Sequence, residues 1–138
     1  MRIFLDANIL FSAAKAHGAV RRLVEMLIKA RHECCADGFV LEEARRNLAA
    51  KAPEGLVVLD SLVARIEVAR AQSFDAALDA ALPLPLPDQD RPVLAAAIRL
   101  GCAALVTGDR THFGPLYGKS FRGVAIHSPR SLAQALLR

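Results

Sequence analysis

Five acidic residues stand where they could do chemistry together: Asp6, Glu43, Asp88, Asp90 and Asp109. Asp6 follows the apolar run MRIFL, and Asp109 follows ALVTG. Asp88 and Asp90 precede the apolar stretch RPVLAAAIRL. Helical phase favours Glu43 over Glu42: Val40, Glu43, Ala44, Asn47 and Leu48 share one face, whereas Glu42 aligns with Arg45, Arg46 and Ala49 on a solvated face. A carboxylate on a core-facing stripe is costly unless it has a partner. Converging carboxylates repel, and without a cation at least one stays protonated. A hard divalent ion, Mg²⁺ or Mn²⁺, removes that conflict. Such an ion makes a bound water more acidic and polarises a phosphoryl oxygen, so phosphodiester hydrolysis is the chemistry this set predicts.

These acids converge only if the elements carrying them share an edge. MRIFL reads as a strand buried on both faces and ending at Asp6. Helices are predicted over roughly 8–16, 19–31, 39–51 and 55–64, with a weak strand at 32–36. Residues 65–71 alternate weakly, as an edge strand or a helix end. Residues 73–81 predict a short Ala-rich helix, and Pro83, Pro85 and Pro87 an extended connector. A helix over 91–100 tolerates Pro92 in its first turn and stops at Gly101. A buried strand follows at 103–107, then a loop over 111–121 and a last strand at 123–127. Ser128-Pro129 caps and starts a terminal helix. Alternating strands and helices predict a parallel sheet covered on both faces, with the site outside the carboxyl ends of the strands. Asp6 and Asp109 then lie at that edge, and Asp90 begins the helix that starts from it. Taken singly, Asp6, Asp88 and Asp90 also read as helix caps and Asp109 as a turn residue.

A chain of 138 residues predicts one domain over 1–138 with a core of its own. Aromatic residues make up only 5%, so Ala, Leu, Val and Ile must fill that core. No apolar run approaches the roughly 20 residues of a membrane span, and an acid at residue 6 argues against a secretory leader. Cys34, Cys35 and Cys102 lack metal-binding spacing and read as buried thiols in a reducing cytoplasm. A net charge of +4 is compatible with a polyanionic partner without demanding one. There is no phosphate-binding loop and no dinucleotide fingerprint. Ser12, His17 and Tyr117 form no nucleophilic triad.

LDANIL, VLEEARRNL and DQDRPVLAAAI…LVTGDRTHF, in that order, resemble the PIN domain, the fold of many metal-dependent ribonucleases, including VapC-type toxins of bacterial toxin–antitoxin pairs. The resemblance covers nearly the whole chain. It implies a three-layer α/β/α fold with a central parallel sheet in strand order 3-2-1-4-5. It also implies an acidic quartet of Asp6, Glu43, Asp90 and Asp109 holding Mg²⁺ or Mn²⁺, with Asp88 an additional candidate ligand or only a helix-start residue. Asn8 and Thr107 match residues expected to orient acids or waters. Arg91 and Arg110 flank the acids as candidate substrate-binding residues, gripping phosphate or offsetting carboxylate charge. His112 reads as a loop histidine, with a contact to phosphate or water as the alternative. The implied function is a metal-dependent endoribonuclease, the toxin of a toxin–antitoxin pair. Its implied partners are RNA, a small antitoxin protein and a second copy of the chain. The helix 19–31 could serve such contacts, although core packing accounts for its apolar stripe.

Two rival classes share parts of this layout. A catalytically silent PIN-like module that binds RNA or a partner would keep the fold without cleavage. An aspartate-phosphorylated domain also sets acids at strand ends, but it needs a suitably placed lysine, and Lys119 lies beyond a Gly-Pro break.

Overall fold

The computed structural model describes residues 1–71 and 91–136. The predicted helix at 73–81, the connector through Pro83, Pro85 and Pro87, and both Asp88 and Asp90 lie outside those residues. In chain order the described elements are β1 (Arg2–Leu5), α1 (Ala7–Lys15), α2 (Ala19–Lys29), β2 (Glu33–Asp37) and α3 (Gly38–Lys51). A 3₁₀ turn (Pro53–Gly55), α4 (Leu56–Val63) and β3 (Glu67–Ala69) follow. After the gap come α5 (Arg91–Arg99), β4 (Ala104–Val106), a second 3₁₀ turn (Gly114–Leu116), β5 (Ser120–Phe121), β6 (Val124–His127) and α6 (Pro129–Leu136).

The sheet runs β3-β2-β1-β4-β6-β5. The pairs β3·β2, β2·β1, β1·β4 and β4·β6 are parallel, while β5 pairs antiparallel with β6. The expected order 3-2-1-4-5 holds for the five parallel strands, with the predicted final strand as β6. The loop expected over 111–121 is corrected: it contains a 3₁₀ turn and the edge strand β5. Two residues are too few to show alternation, and the reversal at Arg122 (φ 49°) and Gly123 (φ +85°) joins β5 to β6. The ambiguous segment 65–71 is an edge strand.

Central β1 fixes the geometry. Successive strand residues point to opposite faces, yet Ile3, Phe4 and Leu5 are all fully buried. Both faces of the sheet are therefore covered, as an apolar run without alternation requires. The register sets Leu5 beside Val106, so Asp6 and Thr107 come next at the same edge. At the other edge Arg2 ties three strands: it reaches Glu33 at 2.7 Å, Glu67 at 2.6 Å and the Leu100 carbonyl at 2.9 Å. The apolar stripe of α2 buries Leu23, Val24 and Leu27 in the main core. Helix α2 ends at Lys29, two residues short of the expected boundary, where Arg31 turns left-handed (φ 67°). Gly101 (φ +67°) ends α5, a conformation that glycine adopts without penalty. Cys34, Cys35 and Cys102 are buried free thiols. Among the described residues no helix is long and apolar enough to cross a membrane.

Candidate active site at the carboxyl edge of the sheet

Asp6 leaves the central strand and caps α1, its Oδ1 accepting from the Ala7 amide at 2.7 Å. Its Oδ2 accepts from the Thr107 hydroxyl at 2.7 Å and from Asn8 Nδ2 at 3.4 Å. The carboxylate is 6% exposed, so these partners replace most of the water it lost on folding. Thr107 is fully buried one residue beyond β4. Its hydroxyl also accepts from the Asp109 amide at 3.1 Å, which ties the turn carrying Asp109 to Asp6. Asn8 closes the same loop from the other side, its Oδ1 accepting from the Gly108 amide at 2.8 Å. Tyr117 donates to the Thr107 carbonyl at 2.8 Å and so holds the second 3₁₀ turn against the end of β4. Burial pushes the Tyr117 phenol above its ordinary pKa, with nearby Asp109 and Asp6 adding to the shift and Arg110 opposing it.

Glu43 enters from α3, one turn beyond Phe39. It is half-buried while Glu42 is exposed, as the helical phase predicted. Asp109 caps its own turn, Oδ1 accepting from the His112 amide at 3.1 Å. His112 Nδ1 lies 3.0 Å from Asp109 Oδ2. Asp6, Asn8, Glu43, Asp109 and His112, with Phe39 and Val93, line one cleft of about 310 Å³.

Three of the four expected acids thus face one space, with Asn8 beside them and Thr107 behind. The fourth, Asp90, and the additional candidate Asp88 lie outside the described residues. Arg91 is half-buried at the start of α5 and Arg110 is exposed; neither is among the described residues lining the cleft. His112, expected as a bystander, lines it. Phe39 and Val93 were missed as cleft residues, although the i, i+4 relation of Phe39 to Glu43 was legible. Asp37 was also missed. It ends β2, is 3% exposed, and caps α3 through the Val40 amide at 3.1 Å. Burial raises its carboxyl pKa, with the Val40 amide and the Arg99 guanidinium, 3.8 Å away, pulling the other way.

An all-oxygen donor set of carboxylates suits a hard cation better than zinc or copper. Among the described residues, the acids line the cleft without closing into a cluster of three metal-ligating groups.

This topology and acid-lined cleft define a class of α/β domain with its site at the carboxyl edge of a parallel sheet. A PIN-domain family model matches residues 2–111, and the chain belongs to the PIN-domain family. Its fold is similar to that of PAE2754 from Pyrobaculum aerophilum, at 21% identity over 99% of this chain and 90% of that one, with a TM-score of 0.68. It is similar to VapBC2 from Rickettsia felis, solved bound to a DNA fragment from its promoter, at 18% identity over 93% and 98% of the two chains, with a TM-score of 0.65. It is also similar to the sarcin–ricin-loop-cleaving toxin VapC20 of Mycobacterium tuberculosis, at 14% identity over 79% and 91%, with a TM-score of 0.59. No curated protein matches the chain in sequence.

Proposed function

We propose that the chain is a divalent-metal-dependent endoribonuclease that hydrolyses RNA phosphodiesters, and that it is the toxin of a toxin–antitoxin pair. The observation that carries this reading is the gathering of Asp6, Glu43 and Asp109 around one cleft in a PIN-domain chain. In this proposal Asp90 completes the ligand set, and Asp88 is an additional candidate. A Mg²⁺ or Mn²⁺ ion bound there would neutralise phosphoryl charge and supply an acidified water. The protein's own part is orientation. Thr107 and Asn8 fix the rotamer of Asp6, and Thr107 fixes the turn that presents Asp109. Supporting donors of this kind keep metal-binding carboxylates in place before the ion arrives. Arg91 and Arg110 are proposed to grip the RNA backbone beside the cleft.

The test is incubation of the purified chain with single-stranded and structured RNA in Mg²⁺ or Mn²⁺, with EDTA as control. Cleavage that needs the metal supports the reading, and intact RNA under every condition refutes it and leaves the silent PIN-like module. The proposed partners are an antitoxin protein, in keeping with the VapBC and FitAB complexes among the similar structures, and a second copy of the chain. Growth arrest caused by the chain, and its relief by a co-expressed small protein encoded beside it, would test the antitoxin part of this reading.

A further inference from the structure

The acidic cleft carries an apolar surface that phosphate chemistry does not use. Phe39 is 39% exposed and lines the cleft beside Glu43, Asp6 and Asp109, with Val93 from α5 also on its wall. Phe4 and Phe113 are fully buried, and Phe39 is the only exposed aromatic among the described residues. An aromatic ring left in water beside carboxylates loses the benefit of burial. Its neighbours cannot use it either: carboxylates, a cation and a phosphate all prefer polar contacts. In a nucleic acid, the apolar faces next to a phosphate belong to the base. A duplex keeps those faces stacked, whereas a single strand or loop offers them.

We propose that Phe39 is a base-stacking residue, which receives an unstacked base beside the phosphate held in the cleft. This rests on the endoribonuclease reading of the same cleft. Phe39 and Glu43 are one helical turn apart, on the same face of α3, with Cβ atoms about 6 Å apart. A phosphate held in the cleft by a cation at Glu43, Asp6 and Asp109, as the proposed function has it, therefore brings its own or the adjoining base within reach of the ring. Stacking accepts any base face, so the contact selects for unpaired structure rather than for a particular base.

Three variants test it. Phe39→Ala should lower kcat/KM on a single-stranded oligoribonucleotide by roughly 10-fold or more, mainly through KM. Phe39→Leu, apolar but without a ring, should lose nearly as much, while Phe39→Trp should keep activity. The chain has no tryptophan of its own, so Phe39→Trp also gives a direct optical readout. Its fluorescence, recorded on rapid mixing before products accumulate, should be quenched by single-stranded RNA. It should be quenched little by duplex RNA or by an abasic oligonucleotide carrying the same phosphates. Equal quenching by RNA and abasic chain, or Phe39→Leu cleaving as well as the parent, overturns the stacking role. Base-dependent quenching in a chain that cleaves no RNA would uphold the stacking role and refute the nuclease reading. Cleavage without quenching would do the reverse.

Discussion

The Thr107 hydroxyl donates to the Asp6 carboxylate at 2.7 Å, joining the residues that follow two neighbouring parallel strands at the edge of the sheet. The same hydroxyl accepts from the Asp109 amide. One buried oxygen therefore links two of the three described cleft acids. Thr107→Val keeps the shape and removes both bonds, together with the one the hydroxyl accepts from Asn8 Nδ2 at 3.3 Å. Leaving a buried carboxylate oxygen short of a donor costs about 1–3 kcal/mol, so the melting temperature should fall. Metal affinity should weaken by roughly 10- to 100-fold, as for other residues supporting a ligand. Thr107→Ser should restore both. Unchanged metal titration in Thr107→Val would remove Thr107 from the positioning role.

Tyr117→Phe probes the next layer out. The variant keeps the ring and removes the donor to the Thr107 carbonyl. The expected loss is about 1 kcal/mol in denaturant unfolding, with kcat affected less than by Thr107→Val. A larger effect on kcat than on stability would mean that the phenol reaches the substrate.

Asp37 supplies a pH test. Burial holds its carboxyl above the ordinary pKa, so the folded chain accommodates the protonated form better. That contribution is complete below the unfolded value of about 4 and is lost as pH rises through the folded one. Asp37→Asn keeps an acceptor for the Val40 amide and removes the buried charge. It should therefore be at least as stable as the parent at pH 7.5, and the difference should shrink or reverse near pH 4. Thermal melts of both chains across that range measure it. A pH-independent difference would contradict the account. Asp37→Ala, which loses the cap, should cost about 1 kcal/mol.

The cysteines make a simpler prediction. Burial pushes the Cys34 thiol up to about 12, and all three thiols are buried. A disulfide reagent should label none of them quickly in the native chain and all three after denaturation. Rapid native labelling would mean that β2 opens readily.

Much of this is legible in the sequence. MRIFL lacks alternation because it is the central strand, with both faces covered. The phase of α3 put Glu43 on the inward side and Glu42 in solvent, as the structure has them, because one helical face is an intrinsic property of the segment. Phe39 and Asp37 escaped because exposure and burial at a helix start depend on what packs against it. Strand β5 escaped because two residues, set between Lys119 and Arg122, carry no period. His112 escaped because a loop's path over the cleft is set by Tyr117 holding the far end of the turn, a contact across ten residues that has no sequence signature.

The central claim is that Asp6, Glu43 and Asp109 act together through a divalent cation. The most direct measurement is Mn²⁺-dependent cleavage of a defined RNA by the parent chain and by Asp6→Asn, Glu43→Gln and Asp109→Asn. Each variant is nearly isosteric, and asparagine at 6 and 109 keeps the acceptors for Ala7 and His112. Each should fold and melt cooperatively, yet lose at least about 100-fold in rate, the scale expected when metal-derived charge stabilisation is lost. Full metal-dependent cleavage by a folded Asp6→Asn or Asp109→Asn chain would contradict the account.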